Sequence, residues 1–126
     1  MSTPHKSHNT GFLALVNDAK TRVKEIGIAE YQKLPRESHV LIDVREDNEW
    51  AAGHAKGAIH LGKGIIERDI ESKVPDKSTT MILYCGGGFR SALVADNLQK
   101  MGYTAAISLD GGWRAWNEAA LPVEKP

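Results

Sequence analysis

From Phe12 onward, apolar residues recur at Leu13, Val16, Ala19 (or Lys20), Val23 and Ile26, the spacing of one helix face. This predicts an amphipathic helix over 11–26. Such a stripe either docks on its own domain or mediates self-association, and docking is the commoner fate. Ile26-Gly27-Ile28 is a short strand candidate, and 29–34 reads as a short helix stopped before Pro35. Val40-Leu41-Ile42-Asp43-Val44 is a short β-branched apolar run, the mark of a strand buried on both faces of a parallel sheet. Residues 46–52 form a helical turn or two closed by Gly53. A second strand is expected over 58–60, a helix within 62–70, a turn at Pro75-Asp76-Lys77-Ser78 and a third buried strand over 80–84. Residues 91–100 read as a helix with Val94, Leu98 and Met101 on one face and Gly102 at its end. A last strand over 104–109 leads to Asp110, a natural N-cap for a helix carrying Trp113 and Trp116.

Short apolar strands thus alternate with helices, which predicts an α/β layer fold with a parallel sheet. Right-handed crossovers then place helices on both faces. The chain has 126 residues and no linker or internal repeat, so a single core is expected. Lys+Arg and Asp+Glu both number 16, so no overall charge draws the protein to nucleic acid or to an anionic membrane; any preference for anions must be local. No apolar run approaches the roughly 20 residues of a membrane span, and the polar first ten residues lack the apolar core of a signal peptide. A reduced, cytoplasmic setting is the expectation.

That setting matters for Cys85, the only cysteine. With one thiol there is no intrachain disulfide and no all-cysteine metal site. The apolar run Met81-Ile82-Leu83-Tyr84 stops at Cys85, and Gly86, Gly87, Gly88, Phe89, Arg90 and Ser91 lead into the helix that follows. In an open α/β sheet, ligands bind beyond the carboxyl ends of the strands. A helix N-terminus there offers unpaired N–H groups and a partial positive charge, and glycines let several N–H groups converge as an anion nest. Arg90 adds a permanent charge and a planar fork of donors suited to an oxyanion. The same field favours thiolate over thiol. The bland alternative is a buried structural cysteine on a glycine turn. No histidine or carboxylate stands beside Cys85 in sequence; His54, His60 and Asp43 reach it only through the fold. A reaction whose leaving group needs no proton, such as release of sulfite from thiosulfate, suits that arrangement better than release of an alcohol from a phosphate ester.

At these residues the chain resembles the rhodanese (thiosulfate sulfurtransferase) family. Leu41-Ile42-Asp43-Val44-Arg45-Glu46, with Glu49-Trp50 and the segment from Gly53 to Ala58, is similar to the family's amino-terminal signature. The segment from Tyr84 to Ser91 is similar to its active-site loop, and Leu109-Asp110-Gly111-Gly112-Trp113 to its carboxy-terminal block. The resemblance covers about 26–122, which sets 1–25 apart as a tail and amphipathic helix and 123–126 as a short tail. It implies a three-layer fold, a five-stranded mainly parallel sheet between helices. It also implies a catalytic Cys85 that takes sulfur from thiosulfate, expelling sulfite, or from another persulfide donor, and passes the sulfur to cyanide or a thiol, including a protein acceptor. The persulfide would be held by the backbone of Gly86 to Ser91, with no cofactor and no metal. The related cell-cycle phosphatases and arsenate reductases use a loop one residue longer, so the six-residue span from Cys85 to Arg90 favours sulfur over phosphorus. A phosphatase or arsenate reductase, and a non-catalytic binding module on the same fold, are the alternatives.

Asp43 and Arg45 either line the site or pair with each other to satisfy loop backbone, the commoner role of a strand-end carboxylate. Glu49 and His54 read as similar support, tying the helical turn to the next strand. His60 either approaches the pocket or is a satisfied polar core residue. Trp113 and Trp116 share a helix face and read as core. Phe89 is placed to wall the pocket and exclude water from the persulfide. His5 and His8 are two histidines in a polar tail, too few for a metal site.

Overall fold

The computed structural model describes residues 8–126. Its centre is a five-stranded parallel sheet of β1 (Lys24–Ile26), β2 (Val40–Asp43), β4 (Ile59–His60), β5 (Met81–Tyr84) and β6 (Ala106–Leu109). The order across the sheet is β1-β6-β5-β2-β4. The expected α/β architecture is therefore present. β5 lies in the middle, with Ile42 opposite Leu83 on one side and Leu83 opposite Ser108 on the other.

Alternation along the strands feeds two cores. Ile42, Met81, Leu83 and Cys85 face one way, toward α4 (Ile66–Lys73) and α5 (Phe89–Lys100), where Ile66, Ile70, Val94 and Leu98 meet them. Leu41, Ile82, Tyr84 and Leu109 face the other way, toward Tyr31 of α2 (Ile28–Tyr31) and Trp116 of α6 (Gly112–Glu118). Helices cover both faces, and every residue of β5 is buried. Each fully buried aliphatic side chain contributes about 1.5–3 kcal/mol, so the central strand is the most firmly held part of the molecule.

The amphipathic stripe at the start of the chain divides in two. α1 runs Thr10–Lys20, and Val16 and Ala19 on its inner face are buried. It docks on α5, where Arg22, just beyond its end, donates from Nε and Nη2 to Asp96 at 3.0 and 2.8 Å. The helix expected to reach residue 26 stops six residues earlier, because Lys24–Ile26 pair with Ile107–Leu109 as the edge strand β1. Ile26 satisfies helix and strand spacing alike, and pairing with β6 decides between them. β1 lies across the boundary expected at 25/26.

The helix expected within 62–70 is displaced to Ile66–Lys73. Asp110 does not cap α6: the N-cap is Gly111 at φ 81, and the Asp110 N–H donates to the Ile26 carbonyl at 2.8 Å. A second, two-stranded sheet pairs β3 (His54–Ala55) with β7 (Val123–Glu124), so residues expected as a terminal tail are built onto the domain. α3 (Asp47–Ala52) opens with a reciprocal capping box in which Glu46 is the N-cap and Glu49 the third helical residue.

Candidate functional site

Cys85 continues the pleat of β5 one residue past its last paired position, on the α5 side of the sheet. Its side chain is 1 % exposed. Immediately after it the chain must reverse into α5, and Gly88 makes that reversal with φ 105, a left-handed conformation that a side chain disfavours. α5 starts at Phe89, two residues earlier than the periodicity suggests, so Phe89, Arg90 and Ser91 form its first turn. The Gly88 N–H donates to Cys85 Sγ at 3.1 Å and the Ser91 N–H at 3.4 Å. The Ser91 hydroxyl lies 3.5 Å from Sγ and 2.7 Å from the hydroxyl of Ser108 on β6. The sulfur thus sits against two backbone donors and a buried hydroxyl pair.

α6 fixes this loop from the opposite side. The Trp113 N–H donates to the Cys85 carbonyl at 2.7 Å, and the Arg114 N–H donates to the Gly86 carbonyl at 3.1 Å. Gly112, at φ 47, passes so close that a Cβ there would lie 2.3 Å from the Cys85 carbonyl oxygen. The start of α6 and the Cys85 loop are therefore packed backbone to backbone. The motif containing Gly112 was legible in the sequence; its contact with Cys85 was not.

Arg90 is paired with a carboxylate. Its Nη1 and Nη2 donate to the two carboxylate oxygens of Glu49 at 2.8 and 3.1 Å. Glu49 also accepts from the Glu46 N–H at 2.9 Å. The Arg90 hydrogen bond holds the Glu49 carboxyl down at about 2. Arg90 is raised in turn, first by Glu49 and then by the charge of Cys85. Glu49 supports the helical turn of α3 through its capping box and also reaches Arg90 of the Cys85 loop, a pairing across 41 residues that no local pattern signals.

Asp43 and Arg45 face each other behind the loop. Arg45 donates from Nε and Nη2 to Asp43 and from Nη2 to the Gly53 carbonyl at 2.7 Å. Tyr84 donates to Asp43 at 2.5 Å and accepts from the Ala55 N–H at 3.0 Å. Burial, and then that bond to Asp43, push the Tyr84 phenol well above its ordinary range. The Arg45 guanidinium lies 4.5 Å from the centroid of Trp113. Both tryptophans were expected in the core; Trp116 is buried there, while Trp113 is only half-buried. His54 stacks on Trp50 at 3.4 Å between centroids, and His60 shares a 2.8 Å hydrogen bond with the Arg45 carbonyl, so both histidines have structural partners.

Phe89 packs under the N-terminal helix. His8 and Phe12 approach its ring at 4.6 and 6.5 Å between centroids, and Lys20 Nζ lies 5.1 Å from its centre. His5 lies outside the described residues. Among the described residues no cluster of three or more His, Cys, Asp or Glu is placed to hold a metal ion. No helix among them is long and apolar enough to cross a membrane.

Comparison with known proteins places this geometry. A protein of unknown function from Rhodopseudomonas palustris, called a possible tyrosine phosphatase, superposes with a TM-score of 0.80 at 26 % identity, over 97 % of this chain and 100 % of that one. The polysulfide-sulfur transferase homodimer of Wolinella succinogenes superposes with a TM-score of 0.76 at 26 % identity, over 92 % of this chain and 88 % of that one. An E. coli rhodanese with anions is 32 % identical, with a TM-score of 0.61, over 70 % of this chain and 99 % of that one. The model of the rhodanese-like domain matches residues 28–119, a span that holds the Cys85 loop, the Asp43–Arg45 pair and the glycines that open α6. The chain belongs to the rhodanese-like domain family.

Proposed function

We propose that this protein is a sulfurtransferase that carries a sulfane sulfur as a persulfide on Cys85. The observation that carries the reading is the set of donors on Sγ: the Gly88 and Ser91 N–H groups and the Ser91 hydroxyl, backed by Ser108. In the first half-reaction the Cys85 thiolate attacks the outer sulfur of thiosulfate. The sulfur–sulfur bond breaks and sulfite leaves with the electron pair. In the second, cyanide or a thiol attacks the outer sulfur of the persulfide, and the Cys85 thiolate is the leaving group. This is covalent catalysis with ping-pong kinetics. Gly86, Gly87 and Gly88 let the backbone wrap the persulfide, while Phe89, Arg90 and Ser91 form its helical wall. Asp43 and Arg45 hold the strand ends behind it. The polysulfide-sulfur transferase relative widens the donor class to other sulfane sulfurs.

A phosphatase reading is favoured by one observation, the description of the R. palustris relative. Two features weigh against it. The loop holds six residues from Cys85 to Arg90. The carboxylate that reaches it, Glu49, stays ionised well below neutral pH and so has no proton to give a leaving alkoxide. Cyanide-dependent thiocyanate formation decides between the readings. We expect turnover with a sulfane donor, lost in Cys85→Ser. Cysteine-dependent hydrolysis of an aryl phosphate, with no thiocyanate from any sulfane donor, would reverse the assignment.

A further inference from the structure

Arg90 is the only charged residue in the segment that wraps the sulfur. A free guanidinium there would draw a dianion. This one is already paired: each of its terminal nitrogens donates to one oxygen of Glu49, so its charge is matched by a carboxylate. Glu49 cannot easily swing aside, because the Glu46 N–H holds one of the same oxygens at the start of α3. The guanidinium in turn lies close to the loop, with Nη2 only 3.2 Å from where a Gly86 Cβ would stand. Lys20, which reaches the outer side of Phe89, also arrives with its own carboxylate, Glu25 at 3.4 Å. Arg90 and Lys20 are thus each matched by a carboxylate from a different element.

We infer that Glu49 is a specificity-determining residue: by cancelling the charge of Arg90 it biases the site toward sulfur donors carrying one negative charge over the thiosulfate dianion. This rests on the sulfurtransferase reading above. Glu49 touches neither donor nor sulfur; it acts through Arg90. The persulfide-forming step balances for both donor types. Thiosulfate transfers its outer sulfur and leaves as sulfite. Methanethiosulfonate, which has a methyl group where thiosulfate has a third oxygen and its second charge, leaves as methanesulfinate. The two donors differ by one charge at nearly constant size, so their ratio reads charge selectivity alone.

The test is the ratio of kcat/KM for thiosulfate to that for methanethiosulfonate, with cyanide as acceptor. Glu49→Gln retains an oxygen for the Glu46 N–H, so the capping box survives while the charge is lost. This variant is expected to raise the ratio by about tenfold or more, and to make thiosulfate turnover fall with added salt, because an uncompensated cation attracts the dianion through a screened field. Glu49→Gln/Arg90→Gln removes both charges and keeps a hydrogen-bonding pair. It is expected to return the ratio to within about threefold of the parent, because the local charge is restored to zero. An unchanged ratio in Glu49→Gln would overturn the assignment. So would a sharp fall in the double variant, which would make Arg90 itself a ligand of the dianion in the parent protein. Failure of both donors to load Cys85 would be a different result: it would overturn the sulfurtransferase reading, and this inference with it.

Discussion

Replacing Gly112 by alanine should disable the sulfur site while leaving the fold standing. The new Cβ would lie 2.3 Å from the Cys85 carbonyl oxygen and 3.0 Å from its carbonyl carbon. Carbon–oxygen contacts settle at about 3.3–3.6 Å, so one backbone must retreat by roughly 1 Å. Neither is a flexible side chain. The Cys85 carbonyl is held by the Trp113 N–H at 2.7 Å, so α6 and the Cys85 loop must part or shift together. Alanine at φ 47 adds left-handed strain of about 1–2 kcal/mol. With the lost hydrogen-bond geometry, the destabilisation should be about 2–3 kcal/mol. The effect on chemistry should be larger in proportion, because a displacement of about 1 Å at reacting groups can cost 10²-fold. The assay pairs urea unfolding with the rate at which Cys85 gains sulfur from a sulfane donor. Gly64→Ala is the control, since a Cβ there meets nothing within 4 Å and no positive φ is needed. Sulfur loading within about threefold of the parent in Gly112→Ala would refute the idea that backbone packing of α6 on the loop positions the sulfur.

Two further outcomes follow from the buried polar groups. The Glu49 carboxyl is held down to about 2 from an ordinary 4.5, so its pairing with Arg90 contributes fully above about pH 4.5 and is lost only as pH falls through about 2; carbon-detected NMR titration should give that midpoint, and one near 4.5 would mean that the pair does not form. Tyr84→Phe deletes the hydroxyl that donates to Asp43 and accepts from the Ala55 N–H, leaving that buried N–H without its partner while Asp43 keeps Arg45, and should cost about 1–3 kcal/mol in urea unfolding; an unchanged midpoint would show that water replaces it.

Much of this molecule was readable in advance where one residue type serves one purpose. The runs at 40–44 and 80–84 contain little but large apolar side chains, and only a strand covered on both faces uses such a run. The glycines after Cys85 likewise signal a chain that must curl around a small group. What could not be read lies in contacts between distant segments. Ser108 occupies an unremarkable position in β6, yet backs the Ser91 hydroxyl at 2.7 Å. Glu49 satisfies a local capping box and a long-range ion pair with the same carboxylate, and only the first has a sequence signature. The two-residue bridge between β3 and β7 is too short to show any period. The N-terminal helix is shorter than the apolar spacing suggests because Ile26 fits both a helix and a strand, and pairing with the neighbouring β6 makes it a strand.

The most direct test of the account is the intact mass of the protein after incubation with thiosulfate or methanethiosulfonate and removal of the excess. The account predicts a gain of one sulfur atom, reversed by reductant and absent in Cys85→Ser. A mass unchanged by both donors would contradict it.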